Sequence, residues 1–177
     1  MTSPVVHEAI NRQINAELGA SYAYLAMSAF CARQNFNGCA HWLRLQSQEE
    51  YGHAMKLYDF LIARDGAVEL GAMPAPKQTY DTITAVFESA LAQEQDVSRQ
   101  IDALYELAFR EKAFATTVEL QWFLTEQVEE EKSARDIIAK LEFAGNDARA
   151  LLEIDRELGA RAGLSGGGPR GGGPPGR

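Results

Sequence analysis

Glu50 and His53 stand one helical turn apart in the stretch QSQEEYGHAMKL, residues 46–57, on the face that Leu43 and Leu57 mark as buried. A helix that turns a carboxylate and an imidazole into its apolar stripe must pair them with counter-charges or use them as ligands. The same interruption occurs three more times. Glu17 lies among Ile10, Ile14, Ser21 and Tyr24, and Glu94 among Phe87, Ala90, Val97 and Ile101. Gln127 and Glu130 lie among Leu120, Phe123, Ala134 and Ile137. Each series keeps the three- and four-residue spacing of one helix face. Four carboxylates, one imidazole and one amide make an oxygen-rich donor set, poor for structural zinc and suited to iron or manganese. Four negative charges match two divalent ions. Two metals about 3.5–4 Å apart can share a bridging carboxylate, and Glu50 is the natural bridge. A pair of Fe2+ ions can deliver two electrons to O2 or peroxide together, avoiding a one-electron step to superoxide.

The elements that must position these groups are four long helices. Glycine and proline are nearly absent from 5–65 and 82–144, where Ala, Leu, Glu, Gln and Arg abound. Ser3 before Pro4 reads as a helix start, and the first helix runs to about Gln34. NFNG (35–38) makes a turn, and a second helix spans about Cys39 to Asp65, ended by Gly66. Residues 66–81 form one long connection. A third helix runs from about Thr82 to Glu111 and a fourth from about Phe114 to Ala144. Asn146 or Asp147 caps a short fifth helix that ends near Arg161. Short, long and short connections between long helices predict an all-α four-helix bundle with one long crossover. The helix midpoints fall near residues 20, 52, 97 and 129, so at 1.5 Å per residue the polar interruptions meet in one central layer. No Lys or Arg shares a seam with them within a turn. Read alone, any one of these glutamates is a solvated surface residue; on four helices at one depth they point to a metal layer.

The remainder of the chain of 177 residues narrows the function classes. Residues 1–162 form one domain, and 163–177, with eight Gly and three Pro, is expected to be a disordered tail. A net charge of −8 argues against nucleic acid as a partner. No apolar run is long enough to span a bilayer, and the start carries no secretory signal. Cys31 and Cys39 fit neither a disulfide framework nor a CxxC site, so a cytoplasmic location is expected. His7 and His41 fall off the seams and are expected at the surface; Trp122 is expected to pack.

Glu17, Glu94, Glu50-x-x-His53 and a fourth-helix Gln127-x-x-Glu130 resemble the ligand pattern of ferritin-like di-iron proteins. With EEYGH on the second helix and WFLTEQVEEEK on the fourth, residues 4–162 are similar to bacterial non-haem ferritins. The resemblance implies a ferritin-like bundle with a short fifth helix, iron storage and detoxification, and ferroxidase oxidation of Fe2+ by O2 or H2O2. It assigns Glu17, Glu50 and His53 to a first iron, with Glu50 bridging. Glu94 and Glu130 go to a second, with Gln127 alongside. Gln127 and Glu130 depart from the usual second Glu-x-x-His, which suits iron that is substrate and moves on as Fe3+. Tyr51 stands where a bacterioferritin offers its haem-ligating methionine, so no haem is expected. Tyr24 is by resemblance a hydrogen-bond partner or electron source, or else a satisfied core tyrosine. Glu49, Glu126 and Glu129 match a third iron site facing a cage interior, or are ordinary solvated glutamates. The resemblance further implies a homo-oligomeric shell of twenty-four chains, with Leu151, Ile154 and Leu158 turning the fifth helix inward. A di-iron peroxidase of the rubrerythrin type is the alternative; the missing second Glu-x-x-His and missing CxxC pair count against it.

Overall fold

The computed structural model describes residues 3–162, so the tail 163–177 expected to be disordered lies outside the described residues. Five helices appear in them: α1 (Pro4–Arg33), α2 (Asn37–Ala63), α3 (Ile83–Arg110), α4 (Phe114–Ala144) and α5 (Ala148–Gly159). Thr82 Oγ1 accepts from the Ala85 amide at 3.0 Å and starts α3. Asp147 Oδ1 accepts from the Arg149 and Ala150 amides at 2.8 and 2.9 Å and starts α5. Each such cap contributes about 1 kcal/mol. Ser3 precedes α1 without a side-chain bond; Pro4, with no N–H to satisfy, opens that helix.

Three helices end in one way. Asn35, Asp65 and Lys112 take left-handed backbones, with φ of 64°, 59° and 55°. The amide that follows each reaches back into the last turn: Phe36 to Cys31 O, Gly66 to Leu61 O and Ala113 to Ala108 O. These bonds satisfy carbonyls that a helix end otherwise leaves open. The reversal at Asn35 is complete so quickly that α2 begins at Asn37, two residues before the expected Cys39.

The apolar core is divided in two. One cluster gathers the end of α1 (Met27, Phe30, Cys31), the start of α2 (Cys39, Trp42, Leu43), the start of α3 (Val86, Phe87) and the end of α4 (Ile137, Leu141). The other gathers the opposite ends, with Ile10 and Ile14, Leu57 and Leu61, Ile101 and Leu104, and Leu120 and Phe123. α1 and α2 are therefore antiparallel, as are α3 and α4, while α2 and α3 run the same way. The crossover must travel the length of the bundle, and it does: Val68 packs on the second cluster and Tyr80 in the first. Two asparagines on α1 hold its early part. Asn11 bonds Ala67 O and the Glu69 amide, each at 2.8 Å. Asn15 bonds Glu69 O at 2.8 Å and the Gly71 amide at 2.7 Å.

α5 crosses the start of α2, with Ile154 and Leu158 buried in the first cluster and Leu151 partly so. The helices touch at Gly38, where an added Cβ would lie 1.7 Å from the Asp155 carbonyl oxygen. Asp155 Oδ1 accepts from the Cys39 amide at 2.8 Å. The two cysteines are free and buried. The expectation that His7 and His41 are surface residues is corrected, since both are half-buried. His7 Nε2 is enclosed without a partner, and His41 Nε2 lies 3.0 Å from the Arg161 carbonyl oxygen. The cover over His41 comes from beyond α5, which the periodicity of α2 alone does not reveal.

Candidate metal centre

Between the two apolar clusters lies the polar layer. Glu17 and Glu50 are 0% exposed, Glu94 1%, Gln127 4%, His53 5% and Glu130 7%, so all six expected ligands face inward. Burying four carboxylates costs several kcal/mol each unless something compensates. Neutral donors supply part of the compensation. Gln13 Nε2 donates to Glu17 Oε1 at 2.8 Å, and Gln46 Nε2 donates to Glu130 Oε2 at 2.7 Å. Tyr24 donates its hydroxyl to Glu94 Oε1 at 2.5 Å. Gln127 Nε2 donates to Glu94 Oε2 and to the Glu94 carbonyl, both at 3.2 Å. Glu17 and Glu130 thus have one oxygen held and another left to face the layer, while Glu94 has a donor on each oxygen and keeps only its remaining lone pairs for a ligand.

Glu50 has no such donor. Both of its oxygens, the second oxygen of Glu17 and Nδ1 of His53 are buried without a hydrogen-bond partner. Four orphaned atoms in one place are costly, at about 1–3 kcal/mol each or more for charged groups. Ligand atoms of Glu17, Glu50 and His53 lie within 4.8 Å of one another, close enough to share one ion. His53 Nδ1 is 3.3 Å from Glu50 Oε2, yet this is no ion pair at neutral pH. Burial lowers the imidazole to about 4, leaving it neutral with a lone pair to offer. The donor set fits cations, and its mix of carboxylate and imidazole fits Fe2+.

The carboxylates report the same lack of positive charge. Burial raises Glu17 to about 7, against the bond from Gln13 and with the charge of Glu94 adding to it. Burial and then the charges of Glu94 and Glu49 raise Glu130 to about 8. Glu50 is pushed well above the carboxylate range by burial and by Glu94, Glu17 and Glu130. Glu94 is raised by burial, with Tyr24 and Gln127 opposing. Tyr24 is raised well above an ordinary phenol, by burial first and then Glu94, so it stays protonated and donating.

The three residues of the expected third site do not form one cluster. Glu126 joins His53 and Glu130, whose ligand atoms lie within 4.8 Å of its own. Burial raises Glu126, as do the charges of Glu49 and Glu129. Glu129 itself is exposed. Glu49 is bound by Arg161, whose Nη2 reaches its two oxygens at 2.9 and 2.7 Å. Trp122, 40% exposed, stands edge-on to His53 with ring centroids 5.2 Å apart. Sequence reasoning gave no role to Gln13, Gln46 or Arg161. Gln13 carries a local signal, one turn before Glu17; Arg161 carries none, being more than a hundred residues from Glu49.

Comparison with known proteins agrees with this geometry. Residues 7–144 match the ferritin-like domain family. The chain belongs to the ferritin family. It is 40% identical over 161 residues to a bacterial non-heme ferritin of Staphylococcus aureus (strain USA300), covering 91% of this chain and 97% of that one. It is also 40% identical over 162 residues to a bacterial non-heme ferritin of Staphylococcus haemolyticus, covering 92% and 98%. Among solved structures, an open-pore ferritin from the hyperthermophilic archaeon Archaeoglobus fulgidus superposes with a TM-score of 0.91 at 45% identity, covering 92% of this ferritin chain and 100% of that one. Iron storage with ferroxidase activity is the function of this ferritin chain, and the expected four-helix bundle with a short fifth helix is its fold.

Proposed function

We propose that this ferritin oxidises Fe2+ at a paired site within each chain and stores the ferric product in a shell of twenty-four copies in the cytoplasm. The four orphaned ligand atoms on Glu17, Glu50 and His53 are the observation that carries the reading. Glu17, Glu50 and His53 take the first Fe2+; Glu94 and Glu130 take the second; Glu50, with both oxygens open, bridges. Glu126 lies beside His53 and Glu130 on the way out of the layer. Gln127, by donating to Glu94, holds that carboxylate in place and adds no charge of its own. Tyr24 does the same from the other side.

With two Fe2+ side by side, O2 receives electrons in pairs; overall, four Fe2+ reduce one O2, and water supplies oxygen and loses protons as ferric oxyhydroxide forms. The chain's part is to strip water from Fe2+, set the two ions together and lose its own carboxyl protons as they bind. Neutral Gln127 in place of a further anion leaves the product weakly held, so it can leave for the mineral.

The test is to add excess Fe2+ to iron-free protein in air and follow iron retained per chain. Retention far beyond two ions per chain supports storage, whereas uptake that stops at two supports a resident cofactor of the di-iron peroxidase kind. Glu50→Ala and His53→Ala should each slow the initial oxidation at least about a hundredfold, the upper end of what losing an outer partner of a ligand costs. Circular dichroism should show the helices intact. Unchanged initial rates in both variants would overturn the assignment.

A further inference from the structure

Arg161 stands just beyond α5, and its guanidinium is held on several sides. Nη2 binds both oxygens of Glu49, at 2.9 and 2.7 Å, and Nη1 donates to Gln46 Oε1. The group lies over the Trp42 ring, 5.0 Å from its centroid. The Arg161 carbonyl oxygen meets His41 Nε2 at 3.0 Å. Gln46 passes the contact inward: with its oxygen on the guanidinium, its Nε2 points to Glu130 Oε2 at 2.7 Å. An amide has one accepting and one donating end, so fixing the oxygen fixes the nitrogen. The arginine side chain is 30% exposed and the Glu49 side chain 17%, which places the pair at the rim of the layer.

A guanidinium nitrogen held between both oxygens of a carboxylate uses the lone pairs that a metal would need. It also sets a permanent positive charge where an arriving cation would have to sit. We propose that Arg161 is a tethered cation that, on Glu49, takes the place of a third iron beside the pair, and that through Gln46 it positions Glu130 for the second iron. This rests on the paired-site reading above. Seating of α5 against Gly38 and Cys39 delivers the arginine, so the inner carboxylate is oriented from the far end of the chain.

The experiment is anaerobic calorimetric titration of the iron-free assembly with Zn2+, which binds such ligands without redox chemistry. The wild type should take two tight equivalents per chain. Arg161→Ala should gain a third and bind the second equivalent about tenfold more weakly, the lower end of the cost of an outer partner. Arg161→Gln, which keeps a polar side chain but loses the positive charge and the reach, should do the same in a milder background. Adding Glu49→Gln to Arg161→Ala should remove the third equivalent again. Glu49→Gln alone should leave two equivalents with unchanged affinity, because Arg161 still holds Gln46. A third tight equivalent in the wild type, or two unchanged ones in both Arg161 variants, overturns the inference and spares the paired site. Fewer than two in the wild type overturns both.

Discussion

A carboxylate buried without a donor, as Glu50 is, keeps its proton unless a cation takes it. Folded-state values of about 7 for Glu17 and about 8 for Glu130 mean that the metal-free fold binds more protons than the unfolded chain above pH 4.5. The stability these groups contribute is present below 4.5 and is lost as pH rises through 7 and 8. His53, lowered to about 4, acts oppositely, costing stability as pH falls below its usual 6.5. Between pH 8 and 6.5 the carboxylates act alone, so the melting temperature of metal-free protein should rise as pH falls through that window. Scanning calorimetry checks this, and a flat or falling Tm would contradict it. Saturating Zn2+ should release protons at pH 7, seen as a dependence of binding heat on buffer ionisation enthalpy. At this scale the sequence was legible because period fixes facing: Glu17, Glu50, His53, Glu94 and Glu130 lie on seams whose apolar neighbours define the inside. The donors that hold them were less so. Whether Gln46 bonds Glu130 or water depends on a neighbouring helix, and Arg161 reaches Glu49 only through the path of α5.

At the scale of elements, helix ends were legible to within two residues because caps and reversals are local chemistry. The inward face of α5 was expected as well, but its seat on α2 was not, because that turns on one close approach between distant segments. Gly38 permits that approach, having no Cβ to meet the Asp155 carbonyl at 1.7 Å. Gly38→Ala should force α5 off α2, costing about 1–3 kcal/mol as overpacked sites do. The Asp155–Cys39 bond and the Arg161 contacts should loosen with it. Hydrogen exchange separates this from general destabilisation: amides of α5 and of the start of α2 should lose protection, while those around Ile101 and Leu120 in the other cluster keep it. Uniform loss of protection, or none, would show that α5 is not seated by that contact.

For the whole molecule, the single chain leaves apolar surface in water that an isolated protein would be expected to cover. Tyr22 and Leu25, each 45% exposed, sit one turn apart on the outer face of α1. Leu70 and Met73 of the crossover are 64% and 49% exposed. Apolar groups arranged along one helix and one connection are the mark of a contact surface. A formal charge of −8 per chain opposes indiscriminate clumping, so apolar contacts must be specific to bring copies together. The proposed shell answers both facts, and it predicts a native mass of about 470 kDa, twenty-four times the 19.5 kDa chain. Leu25→Arg, placing a charge in the α1 face without touching the buried layer, should shift the mass toward small species. The iron-free paired site should still bind two Zn2+ per chain, because all of its ligands come from one bundle. Native mass spectrometry reads both quantities at once. A wild type of one or two chains would refute the shell, whereas a dissociated variant that no longer binds Zn2+ would show that the site depends on assembly.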